Sequence, residues 1–131
     1  MKKRILLGAA LLSLTWDFFL MVAATFNVKS LLPQIAGGQY DSLPIALRLI
    51  YAIQGALVIF QFFFIIQIYF RNGVWSKNSY LLARIFLILY TVSTFVNVVS
   101  HSSRERWNAL ASAIIAIAFY VLAEMKFRPR R

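Results

Sequence analysis

The sequence predicts an all-α integral membrane protein, with four transmembrane helices in an up-down bundle and both termini in the cytoplasm. Three observations lead there. Four apolar runs, 5–26, 44–70, 80–100 and 107–127, are each long enough to cross roughly 30 Å of hydrocarbon at about 1.5 Å per residue. Of the 131 residues 61% are hydrophobic and only 14% charged, against roughly 25% charged in an ordinary soluble domain. The basic residues also gather at alternate ends of the runs. Lys2, Lys3 and Arg4 precede the first, Arg71 and Lys77 separate the second from the third, and Lys126, Arg128, Arg130 and Arg131 follow the fourth. The other connections hold only Lys29 in one and Arg104 and Arg106 in the other. Positive charge stays inside, so both ends of the chain are expected in the cytoplasm.

The formal charge of +10 would suggest nucleic acid in a soluble protein. Its placement here makes it a topology signal first and an attraction to anionic lipid at the cytoplasmic face second, and no nucleic-acid partner is expected. There is no cysteine, one histidine and four acidic residues. Disulfides and thiol chemistry are excluded, and neither a multi-ligand metal site nor a cofactor is expected. The spans nearly exhaust the chain, so residues 1–131 read as one transmembrane domain with no room for a soluble one.

In the first span, Ala10, Ser13, Asp17, Met21 and Ala24 fall on one stripe at helical spacing. Small residues let a second backbone approach and polar ones bond across the contact, so this stripe should face the bundle, with Trp16, Phe18 and Phe19 turned away. Met1–Arg4 followed by an apolar run also resembles a cleaved leader, with Val22, Ala23 and Ala24 as a peptidase-type site. Asp17 interrupts that run, and an uncleaved helix is the expectation.

Pro33, Gly37, Gly38 and Asp41 mark 27–43 as a turn-rich outer loop. At about 17 residues it is of a length often tied to function. The second span starts at Pro44, which suits a first helical turn. Arg48, Ala52, Gly55 and Ile59 form one close-packing stripe, Gln54 and Gln61 a second face, and an aromatic inner half through Tyr69 and Phe70 predicts an interfacial belt. Asn72 and Gly73 then turn the chain, with Trp75 as an anchor.

Arg84 enters the third span and can snorkel to the cytoplasmic surface. The outer half of that span sets Tyr90, Ser93, Thr94, Asn97 and Ser100 in one arc too polar for lipid. Ser102 and Glu105 have the spacing of a capping box for the fourth helix. That helix presents Ala109, Ala113, Ala116 and Ala123, with Ser112 beside them, as a smooth packing face. Glu124 and Arg128 make a weak helical pair near its inner end.

Three groupings carry chemistry. Asp17 lies about nine residues below the outer helix ends and Arg48 about four, a gap of roughly 7 Å that an extended arginine nearly spans. Each charge near a helix centre costs about 2.5–3.5 kcal/mol, so the two are expected to pair, either as a salt bridge fixing the helices or as the floor of an outward-facing polar pocket. Ser93, Asn97, His101 and Arg104 form a second cluster at the outer mouth, with Asn27 and Tyr40 close by in the loop. Gln54 and Gln61 with the Tyr90 and Thr94 edge make a polar seam. No phosphate-binding loop, paired catalytic carboxylates or nucleophile motif is present in the sequence.

These features lead to a non-enzymatic multi-pass protein of a bacterial cell membrane, acting through a membrane-protein partner or a second copy of itself as an accessory, protective or scaffolding subunit. The alternative is a small carrier or channel subunit with an outward-facing pocket around Asp17 and Arg48. Reporter fusions after Lys77 and after Arg131 should both report the cytoplasm and one at Gly38 the outside, and any other pattern refutes the count of spans.

Overall fold

The structure, a computed structural model, describes residues 2–70 and 76–124. Four helices are long and apolar enough to cross a membrane, over Lys3–Thr25, Ile45–Ile68, Lys77–Val98 and Ser103–Ala123. No strand occurs among the described residues. The elements are α1 (Lys2–Thr25), α2 (Ile45–Phe70), α3 (Lys77–Val98), the single turn α4 (Ser103–Arg106) and α5 (Asn108–Ala123), with two 3-10 turns, Lys29–Gln34 and Ala36–Gly38, between α1 and α2. The Asn72–Gly73 turn, the Trp75 anchor, the basic tail and the Glu124–Arg128 pair lie outside the described residues, as do the last residues of the expected fourth span and the side chains of Tyr69 and Phe70.

The helix bounds differ from the sequence expectation by a few residues in every span, and three of the differences stand out. Helix α3 starts at Lys77 rather than Tyr80 because Ser76 caps it, its Oγ accepting from Ser79 N at 3.1 Å. Helix α2 starts at Ile45, with the Pro44 carbonyl accepting from Arg48 N. The fourth span is broken at Trp107, so that α4 forms a corner and α5 a separate helix.

The end of α1 is specified in detail. Asn27 takes a positive φ of 57°. Val28 N donates to Ala23 O and Asn27 N to Ala24 O, the paired bonds of a Schellman ending with asparagine in the left-handed position. The next carbonyl, that of Thr25, accepts from Arg48 Nε at 2.8 Å. A guanidinium there satisfies an orphan carbonyl and sits at the negative end of the helix dipole. Asn27 also holds the far end of the loop, accepting from Leu43 N and donating to Ser42 Oγ.

Helix α5 is the centre of the assembly. Half of its span is buried, against 17–28% of the other three. It packs between α1 and α3, and α2 packs on α1. Where α1 and α2 approach closely, a Cβ on Gly55 would meet Met21 Cβ at 3.4 Å. The buried face of α2 therefore runs through Gly55, Val58, Gln61 and Ile65, while Ala52 and Ile59 of the expected stripe are exposed. On α1 the inward stripe is as read, with Ala10 and Ala24 fully buried and Trp16, Phe18 and Phe19 exposed.

The backbones of α2 and α3 barely approach one another. Large side chains bridge the gap in the half of the bundle away from the 27–43 loop. There Phe86 meets Phe60, Phe64 and Phe119, the last with ring centroids 5.1 Å apart, and Tyr90 stacks on Phe119. Nearer the start of α3, Arg84 lies 4.5 Å over the Tyr80 ring, one turn back towards the helix start as snorkelling requires.

The loop is folded against the α4 corner over a small core of Ala23, Ala24, Leu32, Ile35 and Leu43. Gly38 has φ +67°, and a Cβ there would lie 3.1 Å from Ser102 Cβ and 3.3 Å from the Pro33 carbonyl oxygen. Gly38→Ala should therefore cost roughly 1–3 kcal/mol. Gly8→Ala, in a helix with no atom in its way, should be neutral or stabilising by up to about 1 kcal/mol. Thermal unfolding of the two variants in detergent checks both signs.

Candidate functional site

Two cavities of about 230 and 300 Å³ adjoin in the half of the bundle beneath the loop. They share Asp17, Met21, Gln54 and Ser93 and so form one cleft. Helix α1 supplies its floor at Asp17, about eight residues and roughly 12 Å below Thr25. From α2 come Tyr51, Gln54 and Gln61, from α3 Tyr90, Ser93 and Asn97, and from the corner and α5 Glu105, Asn108 and Ser112. Gln34, Ile35 and Ala36 of the loop roof it.

Each wall is held by hydrogen bonds between elements. At the floor, Tyr90 Oη donates to Gln61 Oε1 at 2.8 Å, and the Asp17 carboxyl interacts with the same hydroxyl. One hydroxyl hydrogen serves one acceptor at a time, so Gln61 and Asp17 compete for it. On the α3–α5 wall, Asn97 Nδ2 donates to Ser112 Oγ at 3.2 Å and Ser112 pairs with Ser93. At the roof, Asn108 donates to the Gln34 carbonyl at 2.9 Å and accepts from Trp16 Nε1, and Ser102 Oγ donates to the Pro33 carbonyl.

Glu105 is nearly buried, and its carboxylate accepts from Ser100 Oγ. Ser102 N donates to that same Ser100 Oγ, while Ser102 Oγ accepts from Glu105 N. The expected capping box is thus closed through Ser100 rather than directly, which leaves the acid lining the cleft, where Tyr51 feels its charge.

The electrostatic consequence follows from who is absent. Two of the four acidic residues line the cleft, and none of its lining residues is a lysine, arginine or histidine. In a chain of net charge +10, both charged residues that line the cleft are acidic. Among the described residues no three of His, Asp and Glu converge on a point, and no metal set is assigned.

Of the six residues singled out from sequence, Asp17, Ser93 and Asn97 come together in the cleft. Arg48 does not join them. Its guanidinium is used on the Thr25 carbonyl, two helical turns above Asp17, and the expected Asp17–Arg48 ion pair is not made. The closer partner wins because a carbonyl at the end of α1 lies within reach of an arginine only three residues into α2. His101 is exposed and lines neither cavity. Arg104 is also exposed and borders a separate, shallow surface groove beside Trp16 and Trp107. The Gln61–Tyr90 seam forms as read, whereas Thr94 bonds back to the Tyr90 carbonyl.

Glu105, Asn108 and Ser112 were missed. Their signal was the corner itself, since a serine-rich turn packed under a long loop places polar side chains inside. Compared with known proteins, the chain matches no family model, no curated protein and no solved structure.

Tyr90→Phe removes the one hydrogen shared at the floor and strands the Gln61 carbonyl, which is 2% exposed. The expected cost is about 1–3 kcal/mol, read as a lowered unfolding temperature. An unchanged temperature would show that water already serves Gln61.

Proposed function

We propose that this protein is a small carrier or binding subunit that receives a cationic solute in the Asp17–Glu105 cleft and performs no covalent chemistry. The observation that carries the proposal is the sign of the cleft, two carboxylates with no cation among the lining residues. An ionisable group at membrane depth is expensive and tends to mark a solute or ion path. Here the salt bridge that would have made Asp17 purely structural is absent. The cleft also has the anatomy of a binding site, apolar walls with a few convergent polar groups.

The proposed setting is an up-down bundle in a bacterial cell membrane, with both termini cytoplasmic and the cleft on the outer side. The basic ends would then meet anionic lipid at the inner leaflet, and nucleic acid has no part.

One observation favours the accessory-subunit reading as well. Ala52 and Ala56 are exposed on α2 at four-residue spacing, a surface on which a partner helix or a second copy could pack closely. Copurification of a stoichiometric membrane partner, lost in Ala56→Leu, would move that reading to the front.

The test is ligand stabilisation of the purified protein. A solute at about a hundred times its Kd adds roughly 2.7 kcal/mol to folding stability. Small organic cations should raise the unfolding temperature of the wild type and leave Asp17→Asn unmoved, while matched anions affect neither. The proposal fails if no cation distinguishes the two proteins. Asp17 is structural if Asp17→Asn does not accumulate as a folded protein.

A further inference from the structure

The cleft is roofed by the loop and flanked by the gap between α2 and α3. Its roof, the 3-10 segment ending at Gln34, is tied to the α4–α5 corner through Pro33 and Gln34. Its side is the gap between α2 and α3, whose backbones barely approach. The rim of that gap is apolar and exposed: Ile50 and Leu57 on α2, Leu89 and Val96 on α3, all four lining one cavity or the other. An exposed apolar rim on a membrane-spanning helix pair faces acyl chains.

The polar interior holds groups without a full set of partners among the described residues. Asp17 and Gln61 share the Tyr90 hydroxyl. Asn97 uses its amide group as a donor twice, and its Oδ1 accepts no hydrogen bond from the described residues. Gln61, almost fully buried, is bonded through its Oε1 alone, which leaves the hydrogens of its Nε2 without an acceptor among the described residues, and buried polar groups are rarely left this way. The Asp17 carboxyl and the Asn97 carbonyl are acceptors that a positively charged group with N–H donors would satisfy. An alkylammonium supplies three.

We infer that the ligand is a cationic amphiphile, an ammonium head joined to an aliphatic tail, which enters from the bilayer between α2 and α3. The head reaches Asp17 and the Asn97 carbonyl, and the tail stays between Leu57 and Leu89. This rests on the cation-binding reading above and adds to it the tail and the route.

The test uses the full chain in phosphatidylcholine nanodiscs and four probes: octylammonium, octanol, octanoate and methylammonium. Binding is read by native mass spectrometry and by unfolding temperature, with empty discs as the correction for partition. Octylammonium should bind saturably and at least about tenfold more tightly than octanol and octanoate, the size of one charge-assisted hydrogen bond, and more tightly than methylammonium, which lacks the tail. Leu89→Trp, a wedge at an exposed rim position, should weaken octylammonium by at least about tenfold and leave methylammonium unchanged. That contrast separates a seat for the tail in the α2–α3 gap from simple concentration of the probe in the bilayer.

If Leu89→Trp leaves octylammonium binding intact, or methylammonium binds as well as octylammonium, the tail has no seat in the α2–α3 gap and the inference is overturned while the cation site stands. Octanol binding as tightly as octylammonium overturns the requirement for charge. If neither amine binds saturably to the wild type, the cation site itself is lost. The comparison of probes on the wild type needs no variant to fold.

Discussion

The position of α5 between α1 and α3 governs the rest of the structure. In hydrocarbon there is no hydrophobic gain from hiding one apolar helix against another, so association depends on close packing and on polar groups finding partners. Helix α5 offers Ala109, Ser112, Ala116 and Ala123, all buried, and two neighbours pack against it. Helix α2 is left with α1 alone. It meets α3 through phenylalanine side chains in one half of the bundle, and in the other half nothing as large is available. The cleft is the space that results.

That space had to be lined with polar groups whose partners come from other helices. Unpaired polar groups are costly in a bilayer, and the structure answers with bonds that each join two elements: Gln61 to Tyr90, Asn97 to Ser112, Asn108 to the loop. The loop is part of this arrangement. Asn27 closes it into a unit, and Ser102 and Asn108 fasten it over the opening. A polar interior with a fastened roof and an apolar side entrance follows from the packing order of the four helices.

Much of the fold was legible in the sequence because its causes are local or set by the membrane. The number of long apolar helices, the inward stripe of α1 and the polar arc of α3 follow from hydropathy and helical periodicity, and all three appear as read. The α2 stripe was misread because glycine and alanine at Ala52, Gly55 and Ile59 spacing look alike on paper, and only the position of α1 selects the Gly55, Val58, Gln61 face. Pairing Asp17 with Arg48 failed for a similar reason. The competing acceptor was a backbone carbonyl, which leaves no trace in residue identities.

The sequence by itself determined that this chain has four helices long and apolar enough to cross a membrane, and which faces of α1 and α3 turn inward, because those follow from hydropathy and helical spacing. The tertiary structure decided that α5 is central and that α2 and α3 stand apart. It also decided that Glu105 rather than Arg48 shares a cavity with Asp17. The physical reason is that a charge's partner is chosen by distance in three dimensions, and helix order around a bundle is set by side-chain packing that no single helix encodes. Asp17 is thereby changed from one half of an expected salt bridge into the floor of an acidic cleft.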